Sequence, residues 1–340
     1  MNHTPPDSTV FKYKLSVADG GSVEHGKGSY DGSYLRFADR EIPIKSVAVF
    51  QAIGSAFVIS YFDDEELITV NLEVYNTDVD KLARAIYASW SRSLAEAERT
   101  HLSKSGKLAN YRDTDCPFCQ STIALTDLPE TDQVYCNFCD TLYSLDRSII
   151  GQAEQNFRIC EGCGMYSRPR KFAIVYFYFL VFTFGFHHDS VVRCSGCMRK
   201  SSWKMVLGNI FGLLGLPFAL IQLYRSYSTR SLTGQFEGLD TANLLAGRGK
   251  IESALEKYDV IMDNAPENAG VKFNIALGLM IKKDYEHAQQ MFELSLDDCS
   301  NYWPAVNGLL DSLRKQGKAK EIRAVSKIWG SPEISPESSF

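Results

Sequence analysis

The chain of 340 residues is too long for one small domain and long enough for two or three ordinary ones. Its apolar fraction of 45% and charged fraction of 23% are globular values, which exclude a chain that is disordered throughout. The net charge of −5 conceals a basic stretch, because residues 156–230 contain ten Lys or Arg and two acidic residues, a local charge of +8 where we expect any anionic partner to bind.

The N-terminal third is predicted to hold a β-rich domain over residues 10–102, behind a polar, proline-containing tail of residues 1–9 that we expect to be disordered. No basic segment followed by an apolar one occurs near the start, so the sequence predicts no secretory signal. Apolar residues at helical spacing follow the strands, with Asn76 and Thr77 as candidate caps. The predicted strands are residues 11–15, 33–37, 46–50, 57–62 and 67–72.

A strand meander closed by one C-terminal amphipathic helix resembles the pleckstrin-homology-like domains of bacteria. The resemblance is one of topology, and it leaves the ligand of this domain open between lipid and protein. Residues 103–112, which are rich in Ser, Lys and Gly, are predicted to form a linker to the next domain.

Eight of the nine cysteines fall into four Cys-x-x-Cys pairs, a spacing that suits metal better than disulfides and indicates a reducing compartment. The first two pairs predict a zinc ribbon over residues 113–147. Two tight turns on facing hairpins can present four thiolates to one zinc ion, and this leaves no open position for water or substrate. The site is therefore expected to be structural, with a redox dithiol, an iron site or four unrelated core cysteines as alternatives. The predicted ligands are Cys116, Cys119, Cys136 and Cys139.

A second zinc ribbon is predicted over residues 156–202, with the same turns around a longer insert that is almost wholly apolar from Phe172 to Phe186. The segment resembles a bacterial zinc-ribbon family in which a Phe-rich stretch precedes the second cysteine pair. A membrane crossing by this stretch would separate the two pairs, so we predict a hydrophobic hairpin with His187-His188-Asp189 as a polar turn at its tip. Packing of that hairpin on a neighbouring domain is the alternative. The predicted ligands are Cys160, Cys163, Cys194 and Cys197.

Residues 203–226 are predicted to be a hydrophobic, membrane-associated segment, because residues 205–224 form an apolar run of bilayer length. The run resembles the glycine- and tryptophan-rich hydrophobic segments that follow zinc ribbons in some bacterial membrane proteins, with leucines in place of the tryptophans. Basic residues flank the run on both sides, which favours a re-entrant or interfacial element over a one-way span. A helix buried in protein is the remaining alternative.

Residues 238–330 repeat with a period of about 34 residues. The segments that begin at Gly249, Lys283 and Gly317 align, and this part resembles three tetratricopeptide repeats. The resemblance implies stacked antiparallel helix pairs that bind a protein or peptide partner. Cys299 has no partner pair and is predicted to be a small buried residue, and residues 331–340 are predicted to be a disordered tail.

The sequence thus predicts a multidomain α+β protein with two structural zinc ions. It contains no phosphate-binding loop, nucleophile elbow or zinc-protease helix, so no enzyme is predicted. The leading hypothesis is a non-enzymatic scaffold or adaptor on the cytoplasmic face of a membrane, with an anionic membrane surface bound at residues 172–224 and a protein partner at the repeats. The alternative is a soluble zinc-ribbon protein associated with nucleic-acid machinery, although the isoelectric point near 5.8 argues against it.

Overall fold

The protein is α+β, with an N-terminal antiparallel sheet and a C-terminal helical region. The computed structural model describes residues 8–17, 23–145, 157–180, 183–209, 215–228 and 234–330. It divides into two compact units, Met1–Asp127 and Leu128–Phe340. The predicted tails, residues 1–9 and 331–340, lie almost wholly outside the described residues.

The first unit is built on a seven-stranded antiparallel sheet. The strand order is β4-β3-β2-β1-β7-β6-β5, so the first strand pairs with both the second and the seventh. The strands are β1 (Thr9–Val17), β2 (Glu24–Tyr30), β3 (Tyr34–Phe37), β4 (Arg40–Pro43), β5 (Val47–Ile53), β6 (Ala56–Asp63) and β7 (Glu66–Tyr75).

Helix α1 (Val79–Lys104) closes this sheet. It buries Leu82 and Ile86 in the core that the strands form, and the Trp90 indole N–H donates to the Val47 carbonyl oxygen at 2.9 Å. The helix ends two residues beyond the predicted domain boundary at 102. Short elements follow it: a 3₁₀ turn at Leu108–Asn110 and a hairpin of β8 (Asp113–Asp115) and β9 (Thr122–Ala124).

The predicted helix caps were placed one or two residues too early. The N-cap is Asp78, whose side chain accepts a hydrogen bond from the Lys81 backbone N–H at 3.0 Å. Asn76 instead has a left-handed backbone conformation, with φ of 64°, and lies in the turn that precedes the helix. The positive end of the helix dipole also stabilises a carboxylate at this position.

In the second unit, four short strands form one sheet in the order β10-β11-β12-β13, so strands from the two predicted zinc ribbons are hydrogen-bonded together. A separate two-stranded sheet contains β14 and β15. The strands are β10 (Gln133–Cys136), β11 (Thr141–Ser144), β12 (Arg158–Ile159), β13 (Tyr166–Ser167), β14 (Arg170–Leu180) and β15 (Thr183–Arg193).

Eight helices complete the described part of this unit. From α5 onward their starts repeat: α5, α7 and α9 begin at residues 251, 285 and 319, a constant step of 34 residues. The helices are α2 (Ser195–Gly208), α3 (Leu216–Tyr227), α4 (Leu239–Ala246), α5 (Ile251–Asn264), α6 (Ala269–Lys282), α7 (Tyr285–Asp298), α8 (Trp303–Gln316) and α9 (Ala319–Trp329).

Strands β14 and β15 form a long antiparallel hairpin from the predicted aromatic insert. Its register pairs Leu180 with Thr183 and Tyr176 with His187. The prediction that His187-His188-Asp189 is the turn at the tip is therefore wrong, because these residues lie inside β15. The aromatic pattern predicted strands but not which residues would turn.

The apolar run at residues 205–224 is divided between two helices. Its first residues end α2, and its last residues lie in α3, which packs against α2. Among the described residues, no helix has both the length and the apolar character needed to cross a bilayer.

Candidate metal centres

The eight cysteines of the four pairs come together in two groups of four. In each group the four sulfur atoms all lie within 4.8 Å of one another. The first group contains Cys116, Cys119, Cys136 and Cys139, and the second contains Cys160, Cys163, Cys194 and Cys197. Cys299, the ninth, is fully buried at the end of α7 and belongs to neither group, as the sequence predicted.

Three of the four pairs lie in tight turns that share a backbone shape. The residue after the second cysteine is left-handed in each, with φ of 63° at Gln120, 57° at Asp140 and 68° at Gly164. This conformation directs the main-chain N–H of the same residue towards the carbonyl oxygen of the first cysteine. Gln120 N donates to the Cys116 carbonyl oxygen at 2.9 Å, and Gly164 N donates to the Cys160 carbonyl oxygen at 2.8 Å. Both thiols of a pair then face the same side of the turn.

The fourth pair differs from the prediction of four equivalent turns. Cys194 is the N-cap of α2, and Cys197 lies in the first turn of that helix. The helix start replaces the tight turn, because its geometry also brings two residues three apart to one side. The unpaired N–H groups of a helix start favour negative charge, which suits thiolate ligands.

Backbone N–H groups point at the second group. Cys194 N lies 3.1 Å and Gly162 N lies 3.3 Å from the Cys160 sulfur, and both donate to it. Hydrogen bonds from the other thiols, Cys163 first, and from the Cys194 backbone lower the pKa of Cys160 well below its usual value, against the effect of burial. The pKa values of Cys163 and Cys194 are raised, first through their bond to Cys160, because one thiolate is stabilised by neighbours that keep their protons.

The second group fits a tetrahedral ion. Four sulfurs at about 2.3 Å from a zinc ion are about 3.8 Å from one another. The Cys163 and Cys194 sulfurs are 3.8 Å apart. A divalent cation would favour the thiolate at all four positions, which removes the conflict between neighbouring thiols. Each group could hold one metal ion, and four thiols without an open position are consistent with structural zinc.

Ionisable residues around the second group tie it to the rest of its unit. Glu161 accepts a hydrogen bond from Val192 N at 2.8 Å, while burial raises the pKa of its carboxyl. Burial likewise raises the pKa of Asp240 on α4, opposed by nearby Arg168 and by a hydrogen bond from Ser195 at the start of α2. These contacts place the second group between strand β15, the start of α2 and the helical region.

Sequence reasoning missed three buried asparagines that hold the backbone beside the cysteines. Asn274 accepts from Tyr166 N and donates to the Tyr166 carbonyl oxygen, both at 2.7 Å. Asn301 does the same for Tyr135, at 2.9 and 2.8 Å. Asn243 donates to the Tyr166 carbonyl oxygen at 2.9 Å. The signal available in the sequence was a polar residue inside the apolar stretch of α6.

Neither models of known protein families nor curated proteins match this chain.

Proposed function

We propose that this protein is a non-enzymatic, zinc-stabilised scaffold that attaches to an anionic membrane surface through helices α2 and α3 and binds a protein partner with its helical region. The observation that carries the proposal is the reversed burial of α3. This helix buries Ala219, Gln222 and Ser226 and exposes large apolar side chains. In water the opposite distribution is expected of a helix.

Helix α2 shares part of this pattern. Its buried residues are three serines and two methionines, while Trp203 and Leu207 are exposed. Small and polar residues between closely packed helices, with apolar residues outside, are typical of helices that face lipid. The exposed set on the two helices, with Tyr224 at 73%, Leu207 at 62% and Ile221 at 55% exposure, is Trp203, Leu207, Phe218, Leu220, Ile221, Tyr224 and Tyr227. We call this set the apolar face.

Charge favours an anionic bilayer as the occupant of the apolar face. Lys200 and Lys204 on α2 and Arg225 on α3 are exposed on the same helices, within the stretch of net charge +8. Each basic residue near an anionic leaflet contributes about 1 kcal/mol to binding. Aromatic residues such as Trp203 and Tyr224 favour the interfacial depth of a membrane. This combination supports an interfacial helix pair that lies in the headgroup region.

Two finer assignments belong to the same proposal. The constant step of 34 residues between helix starts supports tetratricopeptide-like repeats, which would provide the surface for a protein partner. The seven-stranded antiparallel sheet closed by α1 supports a pleckstrin-homology-like first domain. The two zinc ions have a structural role in this proposal, since four thiols leave no coordination position for a substrate.

Vesicle flotation tests the membrane proposal. The full chain should float with vesicles of phosphatidylcholine and phosphatidylserine and resist high salt, and should float less with phosphatidylcholine alone. The double variant Ile221→Glu, Tyr224→Glu should bind at least about tenfold more weakly, because two apolar side chains no longer enter the bilayer.

The matched control places the same charges elsewhere. Val260→Glu, Leu294→Glu alters two exposed apolar residues on α5 and α7 and should leave flotation unchanged. Equal loss of binding in both double variants, or no flotation of the wild-type chain, would refute the membrane proposal. Tight binding of single-stranded RNA in place of vesicles would favour the nucleic-acid alternative.

A further inference from the structure

Strand β13 is bound to the helical region through its main chain. Asn274 on α6 makes both hydrogen bonds that a neighbouring strand would make to Tyr166, at 2.7 Å each. These bonds recognise the main chain, so they hold an extended backbone without regard to its sequence. Asn274 is fully buried, and the contact excludes water.

The helices depend on the strand in return. The Tyr258 hydroxyl donates to Asn243 Oδ1 at 2.6 Å, and Asn274 Nδ2 donates to the same oxygen at 2.9 Å. Asn243 and Asn274 both donate to the Tyr166 carbonyl oxygen. Removal of the strand would leave these buried amides without their partner, which is costly in a low-dielectric interior. The packing of α4, α5 and α6 is thus adapted to a bound strand.

Gly270 shows how closely the strand approaches. A Cβ atom at this position of α6 would lie 2.4 Å from the Tyr166 ring, a distance that real contacts do not reach. The ring lies directly over the helix backbone. Gly278 on the same helix has no such constraint, since its Cβ would meet only Ile251, at 3.8 Å. The glycine at 270 is therefore explained by the docked tyrosine.

A second docking point follows the same design. Asn301, which precedes α8, bonds the Tyr135 backbone at 2.9 and 2.8 Å, and the Tyr135 ring lies edge-on to Tyr302 with centroids 5.1 Å apart. Tyr135 directly precedes Cys136 in β10, and Tyr166 follows Cys163 by three residues. Each docked backbone segment is therefore next to metal ligands of a different group.

We infer that α4, α6 and the residues that precede α8 form a binding surface for extended strands, which the chain's own strands β13 and β10 occupy. We infer further that strand docking and metal retention are coupled. Asn274 and Asn243 are positioning residues for the second cysteine group, and Asn301 is the positioning residue for the first. By linkage, loss of docking weakens metal retention by the factor with which metal loss weakens docking, and such couplings are typically about 5- to 150-fold. The inference rests on the proposed binding of metal by the cysteine groups.

Site-resolved alkylation tests the coupling. The full-length, metal-loaded chain is treated with a chelator and a thiol reagent, and mass spectrometry gives the modification rate of each cysteine. Gly270→Ala should accelerate modification of the second group at least about fivefold, because its methyl displaces Tyr166. Gly278→Ala, the same change on the same helix, should leave the rates unchanged. Equal rates in the two variants would overturn the inference.

A reciprocal pair of variants distinguishes coupling from general loosening. Asn274→Ala should accelerate the second group alone, and Asn301→Ala the first group alone, with the exposed Asn264→Ala as control. Acceleration of both groups by either variant indicates loss of structure and overturns the inference. If Gly270→Ala does not fold, this pair carries the same test. Wild-type rates that do not respond to chelator or added zinc would refute metal binding itself, a different failure.

Discussion

Helices α3 and α7 belong to the same unit and have similar lengths, yet they distribute their side chains in opposite ways. Helix α7 buries Ala288, Phe292 and Leu296 and exposes mainly glutamate, glutamine and aspartate. Helix α3 buries alanine, glutamine and serine and exposes phenylalanine, isoleucine and tyrosine. The distribution on α7 is the one expected of a helix in water, and the distribution on α3 is the one that supports the proposed membrane contact.

Metal removal should produce the largest difference, between α7 and the helix α2 that packs against α3. Structural zinc contributes about 10–16 kcal/mol of apparent folding free energy in small domains. Helix α2 begins at two cysteines of the second group, whereas α7 contains none, so chelation should increase hydrogen exchange in α2 far more than in α7. Metal analysis should return about two zinc equivalents per chain.

The cysteine variants provide the control for that prediction. Cys136→Ser should lose one zinc equivalent, while Cys299→Ser, at a buried cysteine outside both groups, should keep two. Retention of both equivalents by Cys136→Ser would contradict the assignment of the first group.

Two phenylalanines measure the contrast directly. Phe292→Ala on α7 removes a fully buried ring and should lower the free energy of unfolding by about 3–5 kcal/mol. Phe218→Ala on α3 removes a ring that is 54% exposed and should change it by less than about 0.5 kcal/mol, while reducing vesicle binding. Denaturant unfolding gives both values. Similar losses of stability in the two variants would mean that Phe218 packs in a protein core as Phe292 does.

Overpacking gives a smaller effect. Ala288 is fully buried in α7, so Ala288→Leu should cost about 1–3 kcal/mol, measured by thermal or denaturant unfolding. Ala324→Leu on the exposed side of α9 is the matched change and should cost almost nothing. An unchanged melting temperature in Ala288→Leu would refute the close helix contact at this position.

The smallest effect concerns helix caps. Asn268 caps α6 by accepting a hydrogen bond from Val271 N at 2.9 Å, and Asn268→Ala should cost about 1 kcal/mol in denaturant unfolding. Helix α5 has no side-chain cap at its exposed N-cap residue Lys250, so Lys250→Ala should lose no such bond and should leave stability unchanged within error. A loss of stability in Lys250→Ala as large as that in Asn268→Ala would contradict the assignment of the Asn268 cap.

Local patterns predicted much of the fold. Alternation of apolar residues located five of the seven strands of the first sheet, and the spacing of the cysteines identified both groups. Strand β2 was missed because its sequence, EHGKGSY, contains Gly26 and Gly28 and shows no alternation of apolar residues. In the structure a Cβ at Gly28 would lie 2.5 Å from the Phe11 ring, so this glycine accommodates an aromatic residue of the neighbouring strand. Such a requirement arises from tertiary contact, which no local pattern contains.

The remaining differences have a similar origin. Spacing of two residues between cysteines suits a tight turn and a helix start equally, and only the chain that follows Cys197 decides between them. The docking asparagines lie far in sequence from the backbone they hold, and Asn274 follows Tyr166 by 108 positions. Neither the burial of α3 nor these long-range bonds can be read from a single segment.

The position of the second cysteine group at the start of α2 has a mechanical consequence. Cys194 and Cys197 lie at the first turn of a helix whose exposed Trp203 follows within two turns, so an ion bound by their sulfur atoms would fix the rotation of the helix about its own axis. One residue inserted between Cys197 and Trp203 would rotate the apolar side chains by about 100° relative to the ligands. The direction in which the apolar face points would thus be set by the same sulfur atoms that would hold the ion.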